Sequence, residues 1–261
     1  MNFPSKIEQL IKDKKYDLDT FGMSGSKIMI FDDMVLKVQP ESEETENEYR
    51  IMKWLRGKVP VPEVMHYEKE EGMAYLLMTR VQGKMTCDDA YMQNPDMLLH
   101  VVTEGLKQLW SIDISDCPCD NSLDKKLTAA RYNVEHGLVD MDNVEPETFG
   151  EGGFRDPEEL LQWLFTHRPE EEPVLSHGDY CLPNVFADGN KISGLIDLGK
   201  TGISDKWLDI AICYRSLKHN FDGVYSGVAY ASFNPTVFFE KLETEPDWEK
   251  IRYYILLDEL F

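Results

Sequence analysis

Several things are scarce in this chain. Cysteine occurs five times, an odd number, and Cys117-Pro118-Cys119 has neither the spacing nor a neighbouring histidine for a zinc site. The thiols therefore read as packing or surface groups of a reducing compartment. Positive charge is short as well: 27 Lys and Arg stand against 48 Asp and Glu, a net charge of −21. A surface of that sign repels nucleic acid and anionic membrane, so neither is an expected partner. No apolar run reaches the roughly 20 residues of a membrane span. The mixed Lys, Glu and Asp of residues 1–20 do not form a signal peptide, and the expected location is the cytoplasm. Internal repeats and low-complexity stretches are also missing.

A substantial core is there. Over 261 residues, 42% are hydrophobic, with 12 Phe, 12 Tyr and 5 Trp, which suits one large domain or two modest lobes. The negative charge is unevenly spread, since residues 135–172 hold twelve Asp and Glu against Arg155 and Arg168 alone. Such a stretch attracts a polycation.

The chemistry centres on Ser176-His177-Gly178-Asp179-Tyr180-Cys181-Leu182-Pro183-Asn184, followed by Leu195-Ile196-Asp197-Leu198-Gly199. Asn184 lies five residues after Asp179, and Asp197 thirteen after Asn184. An apolar strand containing Ile192, Leu195 and Ile196 leads into Asp197, and a carboxylate there is costly to bury without a cation or hydrogen bonds. In phosphoryl transfer one Asp takes the proton of the attacking hydroxyl, while an Asn and a second Asp hold magnesium. Asp179, Asn184 and Asp197 fit those roles in that order, and magnesium suits such oxygen ligands.

Upstream, residues 4–16 carry a short amphipathic stripe of Ile7, Leu10 and Ile11. Gly22-Met23-Ser24-Gly25-Ser26 reads as a hairpin tip whose backbone N–H groups and hydroxyls could approach phosphates, or as a plain hairpin. Met34 to Val38 is a strand with one charged residue, Lys37. The helix expected over 41–56 aims Ile51, Met52 and Leu55 inward, and Glu48 falls on that stripe. A carboxylate aimed at a core wants a cation, and Lys37 is the obvious one. Strands follow at 64–67 and 73–78, then a break at Thr79-Arg80-Val81-Gln82-Gly83, a candidate hinge. Helical spacing returns over 95–112, 121–137 and 156–167, with an acidic loop at 140–153. Ser204 is placed to cap a helix burying Trp207, Ile210, Ala211 and Tyr214; Asp209, near that face, reads either as a hydrogen-bond partner of the catalytic turn or as a surface residue. Residues 221–234 read as irregular, and helices over 235–242 and 247–261 close the chain.

Lys37, Glu48, His177-Gly178-Asp179 with Asn184, and Ile196-Asp197 resemble the aminoglycoside phosphotransferases, above all the 3'-phosphotransferase (kanamycin kinase) branch. Further marks are Gly57-Lys58-Val59-Pro60-Val61-Pro62, Ser193-Gly194-Leu195-Ile196-Asp197-Leu198-Gly199, and Asp247-Trp248-Glu249-Lys250 through Asp258-Glu259-Leu260-Phe261. The resemblance implies an α+β, two-lobed, protein-kinase-like fold: a small antiparallel sheet lobe with one helix over 1–78, a hinge at 79–83, and a mostly helical lobe over 84–261. It implies ATP, with GTP as the alternative donor, and Mg2+ held by Asn184 and Asp197. Asp179 would be the catalytic base. Ser24, Lys37, Glu48, Thr79 and Val81 would hold the nucleotide, and Asp179, Glu259 and Phe261 with its carboxylate would meet the polycationic antibiotic. Three departures bear on the drug spectrum rather than on phosphoryl transfer: Val35 in place of an aromatic, Lys200 in place of Arg, and Lys218-His219-Asn220 without an acidic pair.

Other chemistries compete. A protein kinase needs a long segment after its metal-binding Asp, whereas only seven residues separate Gly199 from Trp207. A binuclear metal hydrolase using His177, Asp179 and Asp197 leaves Lys37 and Glu48 without a role. A catalytically inert nucleotide-binding module would have no use for the intact Asp179, Asn184 and Asp197.

Overall fold

The structure, a computed structural model, describes residues 3–19, 26–230 and 233–261. The Gly22 to Gly25 tip, and with it Ser24, lies outside the described residues. Among them, an antiparallel five-stranded sheet runs in the order β1 (Asp17–Asp19), β2 (Lys27–Ile30), β3 (Met34–Pro40), β5 (Met73–Thr79), β4 (Val64–Glu70).

Alternation along the strands decides what each face carries. Met34, Leu36 and Val38 join Met29, Phe31, Tyr75, Leu77 and Ile7 of helix α1 (Ser5–Ile11) in a small core. Lys37, one residue out of that phase, goes to the opposite face. There, helix α2 (Glu43–Leu55) buries Ile51, Met52 and Leu55 in the same cluster as Leu76 and Met78 of β5. A reciprocal cap between Ser42 and Thr45 starts α2, worth about 1 kcal/mol. Helix α1 is shorter than the expected 4–16. Asp13 takes φ 62, which no right-handed helix accommodates, and the chain turns there into β1.

The larger part of the chain is mostly helical: α3 (Asp89–Met92), α4 (Pro95–Trp110), α5 (Leu123–Glu135), α6 (Pro157–Thr166), α7 (Lys206–Asp222), α8 (Pro235–Leu242) and α9 (Trp248–Asp258). Two small antiparallel sheets are set among them. One is β6 (Lys84–Met85), β8 (Val185–Asp188) and β9 (Lys191–Leu195); the other pairs β7 (Pro173–Ser176) with β10 (Gly202–Asp205). The cap of α7 is Asp205, not Ser204. Asp205 ends β10 opposite Pro173, one residue further on than Ser204, and its carboxylate accepts from Trp207 N at 3.2 Å. Helix α7 also runs on to Asp222, into the stretch expected to be irregular, and stops at Gly223 with φ 76. Among the described residues no helix is long and apolar enough to cross a membrane, and the fold is mixed α+β with an antiparallel sheet lobe and a helical lobe.

Candidate active site

Strand β7 delivers Ser176 to the sheet edge, and the chain then turns sharply through His177, Gly178 and Asp179. The turn is held by one buried carboxylate. Asp209 on α7 accepts from Ser176 Oγ at 3.0 Å, Gly178 N at 2.9 Å and His177 N at 2.8 Å. Burial pushes the Asp209 carboxyl up, while His177 and those donors pull it back. Of the two places open to Asp209 from sequence, the structure puts it at this turn, not at the surface. The imidazole of His177 is spent on backbone at both ends: Nδ1 accepts from Asp179 N at 3.3 Å, and Nε2 lies 3.0 Å from Ile196 O. With Nδ1 accepting, Nε2 is the nitrogen that donates to that carbonyl.

The same backbone ties Asn184 to Asp197. Ile196 N donates to Asn184 O at 3.0 Å, and Asn184 Nδ2 reaches both Asp179 O and Asp179 Oδ2 at 3.0 Å. Asn184 therefore turns its amide nitrogen to Asp179, and its amide oxygen, an acceptor or cation ligand, makes no hydrogen bond among the described residues. Asp197, straight after the buried Leu195 and the half-buried Ile196, sits in the left-handed region at φ 59, ψ 57. An L-residue held there costs of order 1–3 kcal/mol and persists where its surroundings over-determine it.

Lys37 joins the two parts of the chain. Its Nζ lies 2.9 Å from Glu48 Oε2 and 2.7 Å from Asp197 Oδ1, with side-chain exposures of 10%, 2% and 44% in the order Lys37, Glu48, Asp197. Burial opposes the lysine's charge, yet Glu48 and Asp197 together hold the ammonium well above its ordinary range. Burial likewise pushes Asp197 up, and Lys37 more than reverses it, so that carboxyl ends below its usual value. In Glu48 burial prevails over Lys37, and the carboxyl is raised. The carboxylate that opens to the cleft is thus the one most firmly ionised.

At the break after β5, Thr79 N donates to Glu63 O at 2.9 Å and its Oγ1 accepts from Glu63 N at 2.8 Å. Among the described residues Val81 N and O make no hydrogen bond, and its side chain packs over Gly194, where a Cβ would lie 2.4 Å from Val81 Cγ1. Ser193 Oγ donates to Gln82 O at 2.5 Å. The segment is pinned beside β9 while the backbone of Val81 stays unspent.

The end of α9 gathers a second polar cluster. Glu259 is deeply buried, with Oε2 accepting from Glu145 N at 2.7 Å and Oε1 from Arg215 Nη1 at 3.2 Å. Its neighbour Asp258 also takes Arg215. Burial raises the Asp258 carboxyl, but Arg215 and Lys200 bring it below the usual range. Glu145, from the acidic loop, pairs with His219 Nε2 at 3.1 Å; burial lowers that imidazole, and Glu145 only partly offsets it. Phe261 is 38% exposed, with Lys126 and Lys200 Nζ at 5.9 and 5.8 Å from its ring. Lys126 is 8% exposed and, among the described residues, has neither hydrogen bond nor ion pair. Burial and Lys200 bring its ammonium down to about 8. Nothing in the local sequence marks Lys126: a lysine in an amphipathic helix reads as a solvated one. Asn47 and Asn121, which touch the backbone beyond Asp197, were equally without a signal.

Residues 22–254 match the phosphotransferase enzyme family. Curated relatives include the aminoglycoside 3'-phosphotransferases of Enterococcus faecalis and Staphylococcus aureus, each 39% identical over 100% of this chain and 99% of their own. Among solved structures, an aminoglycoside-3'-phosphotransferase of type VIII superposes with TM-score 0.78 at 26% identity, covering 98% of this chain and 97% of that one. The fold of aminoglycoside phosphotransferase APH(3'')-Id from Streptomyces rimosus matches with TM-score 0.80 at 23% identity, over 97% and 95% of the two chains. With its lysine–carboxylate bridge, the turns that carry Asp179 and Asp197, and relatives matched over 99% of their length, the chain belongs to the phosphotransferase enzyme family.

Proposed function

We propose that this chain is an antibiotic-resistance kinase that transfers the γ-phosphoryl group of ATP, with GTP as the alternative donor, to the 3'-hydroxyl of an aminoglycoside such as kanamycin or neomycin. The bridge Glu48–Lys37–Asp197, set beside Asp179 and Asn184, carries the phosphoryl-transfer half of this reading. Full-length likeness to 3'-phosphotransferases supports the acceptor. Residues 1–78 would act as the nucleotide lobe, 79–83 as hinge and 84–261 as the catalytic and drug-binding lobe, in the cytoplasm where ATP and free thiols are found.

Asp179 would accept the proton of the attacking hydroxyl, held on aim by the Asn184 amide and by the His177 ring beneath its N–H. Lys37, oriented by Glu48, would meet the nucleotide phosphates, with Ser24 as a second contact. Val81, whose backbone is unspent, and Thr79 would receive the adenine edge. The donor set fits magnesium: one open carboxylate on Asp197 and one amide oxygen on Asn184, both hard oxygen ligands, leave room for water and phosphate oxygens. Mg2+ held there would neutralise charge on the transferred phosphoryl group. Asp179 and Phe261 would face the aminoglycoside, and Glu259, both of whose oxygens are engaged, would serve that face by fixing Arg215 and the acidic loop.

The hydrolase alternative loses its histidine ligand, because both nitrogens of His177 are committed to backbone. ADP release tests the reading. It should appear only with an aminoglycoside bearing a 3'-hydroxyl and vanish in Asp179→Asn, while nucleotide binding persists. Near-normal kcat in that variant, or turnover of a 3'-deoxy aminoglycoside at the same rate, would refute it.

A further inference from the structure

Three successive main-chain carbonyls just beyond Asp197 accept hydrogen bonds from asparagine side chains. Asn47 Nδ2, on α2, donates to Gly199 O at 2.7 Å and to Thr201 O at 2.9 Å. Between them, Lys200 O takes Asn121 Nδ2, from the segment before α5. Residues 198–200 form only a single 3-10 turn, so a helix or strand ladder does not supply these bonds. The turn is also a wall of the site: Thr201 Oγ1 donates to His177 O at 2.8 Å, and Gly178 lies so near that a Cβ there would sit 2.0 Å from Lys200 O.

We propose that Asn47 is a positioning residue for the phosphoryl-transfer reaction: it locks α2 to the turn that holds Asp197 in its left-handed conformation. Asn47 precedes Glu48, and the two side chains leave α2 roughly 100° apart. Glu48 goes to Lys37, and Asn47 goes to the turn. One helix thereby sets both the lysine and the backbone behind Asp197, so the Lys37–Asp197 distance is fixed by α2 as a rigid body. Asn121 holds the middle carbonyl from the helical part of the chain and so braces the same turn from a second element.

This rests on the kinase reading, so one readout is independent of turnover. In the full chain without ligand, Asn47→Ala should speed amide hydrogen exchange across residues 197–202, leaving α9 unchanged. Mg2+-dependent binding of ADP should weaken roughly tenfold, the size expected for two lost neutral hydrogen bonds. In turnover, kcat/KM for ATP should fall similarly and need more Mg2+, while KM for the aminoglycoside stays within about twofold. The isosteric Asn47→Asp, which cannot donate, should lose at least as much, and Asn47→Gln should recover part. Parental exchange and parental ADP binding in Asn47→Ala would overturn the proposal. So would a loss shared equally by ATP and aminoglycoside, with a lowered Tm that Asn47→Gln does not restore. If the parent releases no ADP with any aminoglycoside, the kinase reading fails, and exchange and ADP binding still decide whether the clamp exists.

Discussion

At Gly178 the backbone takes φ +85, and a side chain there would have to displace the Lys200 carbonyl. Both the conformation and the space ask for glycine. Gly178→Ala should destabilise the protein by about 1–3 kcal/mol through backbone strain and lower kcat far more than Tm, because the atoms displaced belong to the turn behind Asp197. A thermal melt and an ADP-release assay on the same preparation check both parts. Lys126 makes a different kind of prediction. Folding brings its ammonium from 10.5 to about 8, so between those values the unfolded chain binds the extra proton and stability rises with pH. Below about pH 8 the folded protein carries a buried charge. Lys126→Met should therefore be stabilising by up to roughly 3 kcal/mol below pH 8, with the gain fading as pH approaches 10.5. A denaturant titration at several pH values measures it, and a gain that does not change with pH would show that the ammonium costs nothing.

Strand β3 and helix α2 act through one bridge. Burial disfavours the charge of Lys37, and only two carboxylates make it tenable. Removing one member of a buried pair costs several kcal/mol, because the other is left uncompensated. Lys37→Ala and Glu48→Ala should each lower kcat/KM for ATP severely, and the double variant should be little worse than the worse single one. Additive losses measured by steady-state kinetics would mean the pair does not work as a unit. Helix ends tell a related story. The stripe of Ile51, Met52 and Leu55 was readable from spacing, and so was Glu48 on it. Where α1 stops was not, because Asp tolerates φ 62 more readily than most residues without requiring it; nor was the cap of α7, because Ser204 and Asp205 are both acceptable cap types and only the end of β10 decides between them.

Across the whole molecule, a net charge of −21 acts on an aminoglycoside polycation from beyond contact distance. Raising ionic strength from 0.01 to 0.15 M shortens the screening length from about 30 to about 8 Å. KM for the aminoglycoside should then rise several-fold, while KM for ATP, an anion repelled by the same field, should hold or fall. Equal salt dependence for both substrates in initial-rate measurements would assign drug binding to local contacts alone. The lobed architecture was legible because strand periodicity gives way to helical periodicity after residue 83, and periodicity reports burial directly.

From sequence alone came the spacing of Asp179, Asn184 and Asp197, the face on which Lys37 lies, and the inward aim of Glu48. Each is set by neighbours a few residues away, and local geometry turns such spacing into direction. The tertiary structure alone decided which distant groups meet. Asn47 finds carbonyls 152 and 154 residues on, Arg215 spends itself on Asp258 and Glu259, and Lys126 meets no carboxylate among the described residues, only the Phe261 ring. Those outcomes depend on how the helices and sheets dock against one another, and a side chain's residue type does not reveal whether its partner, tens of residues away, will arrive.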